Sequence, residues 1–202
     1  MREPKDGLQT QRLSLRRYTA DDFDLLWRLN SDERVMRYAG GVKTREATQT
    51  LLTDRILRYY DEHPGLGIWA TFERDTGSPV GMHLLNHMHG ESFIQVGYLL
   101  FPEHWGKGYA TEMARRVVEY GFADCKLPEI VAITDRANHS SQHVLEKVGL
   151  QRRGERHFAH PAYAQGPFAW FVCDAERWRH LPSATADATD NPSGALPRDP
   201  TR

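Results

Sequence analysis

The sequence predicts an α/β (α+β) domain, short strands and amphipathic helices sharing one core, and three observations carry that reading. Val96 to Phe101 is an apolar run with β-branched and aromatic residues, closed by Pro102, which withdraws a backbone donor; this is a buried strand ending in a turn. From Tyr109 onward the period changes. Tyr109, Ala110, Met113, Ala114, Val117, Val118, Gly121 and Phe122 fall on one stripe, opposite Thr111, Glu112, Arg115, Arg116 and Glu119, as in an amphipathic helix. Finally, 202 residues with 40% hydrophobic content suffice for one domain with a sizeable core.

In chain order, Leu13 to Tyr18 alternates as a first strand, and Thr19 caps a helix running to about Asn30, with Asp22 three residues later completing a capping box. Ser31 is expected to cap a short second helix ending near Tyr38 to Gly41. Thr44 opens a longer one through about Asp61, with Leu51, Leu52, Ile56, Leu57 and Tyr60 facing inward. Gly67 to Glu73 and Pro79 to Asn86 read as strands joined by a turn at Asp75 to Ser78, and His87 to Glu91 makes the next turn. After the central helix, Glu129 to Thr134 reads as a strand and Asn138 caps a helix that stops at Gly149. Leu150 to Phe158 and Phe168 to Cys173 are the last strands, and Asp174 to His180 adds a terminal helical turn. The domain is expected to span 1–180. From Leu181 onward the chain has almost no bulky apolar residue, so 181–202 reads as a disordered C-terminal tail.

A net charge of −1 demands no polyanionic partner, so nucleic acid is not expected. No apolar run approaches membrane-spanning length, and the start of the chain does not read as a secretory signal. Two cysteines, Cys125 and Cys173, form no disulfide framework, and a reducing cytoplasm is the simplest home.

Between the strand and the central helix lies Trp105-Gly106-Lys107-Gly108-Tyr109-Ala110. Its glycines let the backbone approach a ligand, and the first amides of the helix lack internal acceptors at the positive end of the dipole, which suits a diphosphate. A P-loop fits poorly, since the lysine lies between the glycines with no hydroxyl after it; a dinucleotide fingerprint fits poorly as well, since Thr111 stands where a small residue belongs and the strand arrives mid-chain.

The six residues instead resemble the acyl-CoA loop of the GNAT acetyltransferases, Gln/Arg-x-x-Gly-x-Gly/Ala, with tryptophan in the first place as in the RimJ/RimL-like branch. Asn138-His139-Ser140-Ser141 followed by Val144 to Leu150 resembles that branch's Asn-x-x-Ser and Leu-Glu-Lys-x-Gly-Phe segment, and Leu8 to Leu15 resembles its opening. The resemblance covers roughly residues 8–180. It implies a mixed, strongly twisted central sheet flanked by helices, in which the strand before the loop and the strand Glu129–Thr134 splay apart. The pantetheine arm of acetyl-CoA then lies in the gap along Leu99, Leu100 and Phe101. Trp105, Gly106, Lys107, Gly108, Tyr109 and Ala110 hold the diphosphate, and Asn138 and Ser141 reach the arm from their helix.

The implied reaction is direct attack of an amine on the thioester, with a backbone amide of the Tyr98–Leu99 segment as oxyanion donor and coenzyme A as product. Many GNAT enzymes carry a tyrosine acid where this chain has Leu145, so Ser141 is the nearest hydroxyl for that role. The branch often has glutamate where this chain has Gln95, and an amide cannot accept a proton. His83 is then a candidate base, and an α-amine, at about 7.7–8.0 against about 10.4 for lysine, needs the least help.

The expected acceptor is therefore a protein or peptide N-terminus. A small amine such as an amino acid, polyamine or antibiotic, or a non-catalytic acyl-CoA sensor, are the alternatives. The acceptor is expected to enter between Trp27–Gly41 and Phe158–Phe168. His87 and His89 share a strand face, yet no cysteine or carboxylate set completes a metal site, so no metal is expected. Trp27, Trp69 and Trp170 read as core, and Arg115, Arg116, Arg152, Arg153 and Arg156 as a solvated face. Oligomeric state, a homodimer included, is left open by the sequence.

Overall fold

The computed structural model describes residues 7–181; Met1 to Asp6 and the tail residues 182–202 lie outside the described residues. Strand β1 (Leu13–Arg17) buries Leu13 and Leu15 and leaves Ser14 and Arg16 toward solvent, the alternation of a strand with one covered face. The capping box follows: Asp22 accepts the Thr19 amide at 2.7 Å and its hydroxyl at 2.9 Å, starting a 3-10 turn, Ala20–Asp22, that runs into α1 (Phe23–Asn30).

Ser31 does not cap the next helix. Its hydroxyl and its amide both donate to the Trp27 carbonyl, at 2.8 and 2.9 Å, so it closes α1. Asp32 caps α2 (Glu33–Met36) instead, accepting the Arg34 amide at 2.9 Å, because an ionised carboxylate is the stronger acceptor for a helix's first amides. Thr44 caps α3 (Arg45–Thr50) as expected, its hydroxyl oxygen accepting from Ala47 at 3.1 Å. The helix then continues as a π-helical stretch, Leu51–Leu57, before α4 (Arg58–Glu62). The wider π turn advances the phase by one residue, so Tyr59 joins Tyr60, Leu52 and Ile56 inside, while Leu51 and Leu57 are only half-buried.

Strands β2 (Gly67–Glu73), β3 (Pro79–His87), β4 (Ile94–Leu100), β5 (Glu129–Thr134), β6 (Gln151–Arg156) and β7 (Phe168–Asp174) join β1 in one seven-stranded sheet, ordered β1-β2-β3-β4-β5-β7-β6. Every pairing is antiparallel except β4 with β5, which is parallel and registers only at Gln95 and Val131. Beyond Gln95 the two strands part. Strand β4 ends one residue before Phe101, which already turns into the 3-10 segment Pro102–His104.

Helix α5 (Tyr109–Ala123) packs on β3 and β4, with Met113, Ala114, Val117, Val118 and Phe122 buried. Trp69 meets Tyr120 of α5 edge-on at 6.5 Å. Since side chains alternate along a strand and Trp69 registers with His83 and His83 with Tyr98, these three share the α5 face. Ile68, Met82 and Leu84 face the other way, toward Leu51 and Ile56. Helix α6 (His139–Lys147) follows β5, and α7 (Ala175–Arg179) follows β7. Among the described residues no helix is long and apolar enough to cross a membrane.

Candidate active site

The loop between β4 and α5 has the backbone that its glycines allow. Gly106 and Gly108 sit at φ of +75° and +79°, left-handed conformations that cost a residue with a Cβ on the order of 1–2 kcal/mol, and Gly108 is the N-cap of α5. The first helical bond runs from the Glu112 amide to Gly108 at 3.0 Å, so the amides of Tyr109, Ala110 and Thr111 have no helical acceptor. An ideal Cβ on Gly106 would meet nothing within 4 Å, which leaves the concave side of the loop open to a ligand. A diphosphate fits such a cradle. Half-exposed Trp105 donates its indole N–H to the Leu100 carbonyl at 2.8 Å and so caps the end of β4.

Distant residues brace this loop. Arg12 donates Nε to Glu112 in the first turn of α5 at 2.6 Å and Nη1 to the Lys107 carbonyl at 3.1 Å, and lies 4.6 Å over the Tyr109 ring. Tyr109 donates to Glu73 at 2.9 Å, and this bond holds the Glu73 carboxyl below the usual carboxylate range. The sequence singled out Lys107 and Tyr109 as loop residues but gave no role to Arg12 or Glu73, because the 100 residues separating Arg12 from Glu112 leave no local signal.

The parting of β4 from β5 opens the groove. Phe101 donates to Val80 on the β3 side at 3.0 Å, so by strand alternation the amides of Tyr98 and Leu100 face the open side, along with the Leu100 carbonyl that Trp105 takes. The Tyr98 phenol reaches α6, 3.1 Å from Ser141 Oγ and 3.2 Å from the Ser141 carbonyl, and burial pushes its pKa up to about 12. Asn138 Oδ1 accepts the Ser141 amide at 3.1 Å, which leaves its amide nitrogen to donate elsewhere, and Asn138 lines the cavity.

That cavity, about 350 Å³, runs from Leu99, Ser141 and Leu145 past Gln95 and Asn86 to a mouth between α2 and the segment after β6. Gln95 donates to Asn86 at 3.3 Å, and among the described residues no Asp or Glu lines the cavity. His83 is not on its wall. The ring is fully buried on the α5 face, Nδ1 is 2.7 Å from the Thr71 hydroxyl, and Nε2 faces the Ala110 backbone without closing a hydrogen bond. Burial lowers its pKa to about 3, so it stays neutral and out of reach of an acceptor.

His87 and His89 also part company. His87 Nδ1 lies 2.6 Å from Tyr59, whereas His89 Nε2 lies 3.2 Å from Arg55 and its ring stacks on His160 at 5.1 Å. Among the described residues no group of three or more His, Cys, Asp or Glu is placed to hold a metal ion. Cys125 and Cys173 are buried and unpaired, away from the cavity. Sequence reasoning named the Tyr98 backbone but missed its hydroxyl. Strand alternation around Tyr98 could have shown which face it takes, though not that Ser141 stands there.

A seven-stranded mixed sheet with a glycine cradle and a splayed central pair defines an acyl-CoA-binding acetyltransferase fold. The family model described as acetyltransferase (GNAT) domain matches residues 12–151, and the chain belongs to this family of N-acetyltransferases, which use acetyl-CoA. An uncharacterised N-acetyltransferase, YoaA, of Bacillus subtilis (strain 168) is 32% identical over 73% of this chain and 84% of its own. An acetyltransferase (GNAT family) from Bacillus anthracis superposes with a TM-score of 0.67 at 26% identity, covering 84% of this chain and 98% of its own. Spermidine N-acetyltransferase from Vibrio cholerae, in complex with CoA and spermine, shares the fold at a TM-score of 0.66 and 17% identity, over 84% of this chain and 99% of that one.

Proposed function

We propose that this enzyme acetylates an α-amino group, that of a protein or peptide N-terminus or of a small molecule, in the manner of the RimJ/RimL-like branch its loop resembles. The observation that carries this reading is the absence, among the described residues, of any carboxylate from the cavity wall, with Gln95 and Asn86 bonded to each other where a base would stand. With His83 buried and His89 bonded to Arg55, no side chain on the wall is poised to take a proton, so the acceptor must lose its own to water. An α-amine at about 7.7–8.0 does so far more readily than a lysine at about 10.4.

In this reading the amides of Gly106 to Ala110 hold the diphosphate, with Lys107 beside them and Trp105 at the end of β4, and the arm runs along Leu99, Leu100 and Phe101 past Asn138. The amine lone pair attacks the carbonyl carbon, and the carbonyl electrons move to oxygen, where the Tyr98 amide donates. Collapse breaks the carbon–sulfur bond. The leaving sulfur takes a proton from the Ser141 or Tyr98 hydroxyl, which regains one from solvent, and the new amide nitrogen gives its proton to solvent. A thiol of pKa about 8.5 leaves well with weak acid help, which suits two hydroxyls in place of a dedicated acid.

CoA release, followed with a thiol reagent at varied pH, tests the reading. With a peptide α-amine kcat/KM is expected to rise until the acceptor's own pKa, and a lysine-type amine to lag by about a hundredfold at pH 7.5. A rise whose midpoint stays put when the acceptor is changed points to an enzyme base and overturns it. CoA binding with no turnover on any acceptor points to a sensor.

A further inference from the structure

The acceptor end of the cavity carries a charge pattern that acetyl transfer as such does not need. Lys43 from the loop after α2, Arg55 from the π-helical stretch and His89 from the β3–β4 turn converge on its wall, where no acidic side chain among the described residues answers them. A guanidinium only donates, so in the Arg55–His89 bond of 3.2 Å the imidazole Nε2 accepts and its proton sits on Nδ1. Burial, with Arg55, His160 and Lys43 close by, pushes the His89 pKa down to about 4, so the ring is neutral and the wall's formal charge comes from the two cations.

Among the described residues neither Lys43 nor Arg55 meets a carboxylate within ion-pair distance, whereas Arg12, Arg16, Arg28, Arg34, Arg45 and Arg58 all do. Cradle residues Gly106 to Ala110 do not line this cavity, so its cations are not part of the diphosphate site. Two half-buried cations facing an open cavity without a counter-charge are an unfinished ion pair.

We infer that the acceptor supplies the missing charge: it is a primary amine carrying a carboxylate near the reacting nitrogen, held by Lys43 and Arg55. Free α-amino acids and peptides with an acidic first residue share this chemistry. The inference rests on the transfer reaction proposed above and names its substrate class. The same two cations help the chemistry, because a like charge nearby disfavours the ammonium form and the amine then arrives neutral where no base exists. A polyamine, all positive and with no carboxylate, meets repulsion at the same wall.

The test uses the full chain with acetyl-CoA and four acceptors: a tripeptide amide beginning with Glu, its partner beginning with Gln, free glutamate, and spermidine. The Glu peptide is expected to exceed the Gln peptide in kcat/KM by about tenfold or more, with spermidine last. Glutamate against the Glu peptide tells the small source from the peptide source. In Arg55→Gln with Lys43→Gln the Glu-to-Gln ratio is expected to fall to about one while acetyl-CoA affinity is unchanged, which also shows that the variant is folded.

Equal use of the two peptides with free glutamate no better than either, a preference for spermidine, or a Glu preference that survives the double replacement overturns the inference and leaves the transfer reading intact. If no acceptor is turned over, the transfer reading fails on its own, and calorimetry on the CoA-loaded chain still decides this one. Tighter Glu-peptide than Gln-peptide binding, abolished in the double variant, supports it, and equal binding refutes it.

Discussion

The two ends of the groove are built from different materials. The end proposed to hold the cofactor is mostly backbone: left-handed glycines, the unclaimed amides at the start of α5 and the free edge of β4. The end proposed for the acceptor is mostly side chains, contributed by a loop, a π-helical stretch and a hairpin turn. Backbone recognition tolerates changes in sequence around the glycines but not at them, whereas a side-chain wall changes its preference with single substitutions while the fold stays put. This contrast is what one expects of a scaffold that keeps one cosubstrate and varies the other.

Gly108→Val presses hardest on the comparison. A β-branched residue at φ +79° distorts the cradle, and the KM for acetyl-CoA is expected to rise by about a hundredfold, with little change in preference among acceptors. A variant that instead altered acceptor choice would break the division between the two ends.

Next is the pH dependence of folding through His83, which lies under the cradle. Its folded pKa, about 3, is below the unfolded value of 6.5, so on acidification the unfolded chain takes up a proton first. Stability is therefore expected to fall from pH 6.5 toward 3, with a limiting slope of about 1.4 kcal/mol per pH unit from this group. Denaturant titrations of the protein and of His83→Gln, compared between pH 4 and 6, should differ by that slope.

Tyr98→Phe removes the hydroxyl beside Ser141 and is expected to lower kcat by about tenfold with the KM values nearly unchanged. Ser141→Ala in the same background should add little, since the two hydroxyls act as one unit. Because burial keeps the Tyr98 phenol protonated up to about pH 12, no loss of activity from its ionisation is expected below about pH 11.

The smallest effect belongs to the start of α1, where Asp22 does not line the cavity. Asp22→Asn weakens the reciprocal cap with Thr19 and the ion pair with Arg16, for a loss of about 1 kcal/mol in denaturant unfolding and no change in kcat. The Asp22 carboxyl is held at about 2 by its bonds from Arg16, so this contribution is complete above pH 4 and is lost as pH falls toward 2.

What could be read without a structure follows the same division. Bounds for β2 and β5, the Thr44 cap and the Asn138 cap agree with expectation, because each depends on residues within a few positions of one another. Ser31 departed from it because two adjacent candidates competed for one cap. The inward place of Tyr59 departed as well, because a π-helical turn shifts a phase that period counting takes as constant.

By itself the sequence determined where backbone must turn left-handed, where helices start, and which faces are apolar, since these preferences are settled by steric and hydrogen-bonding choices within one or two turns of chain. Only the tertiary structure decided that Tyr98 meets Ser141 across 43 positions, that Arg12 clasps Glu112, and that His83 turns away from the groove while Arg55 and Lys43 turn into it. Those outcomes depend on how twisted strands and packed helices place distant side chains in one volume, and no local spacing encodes that.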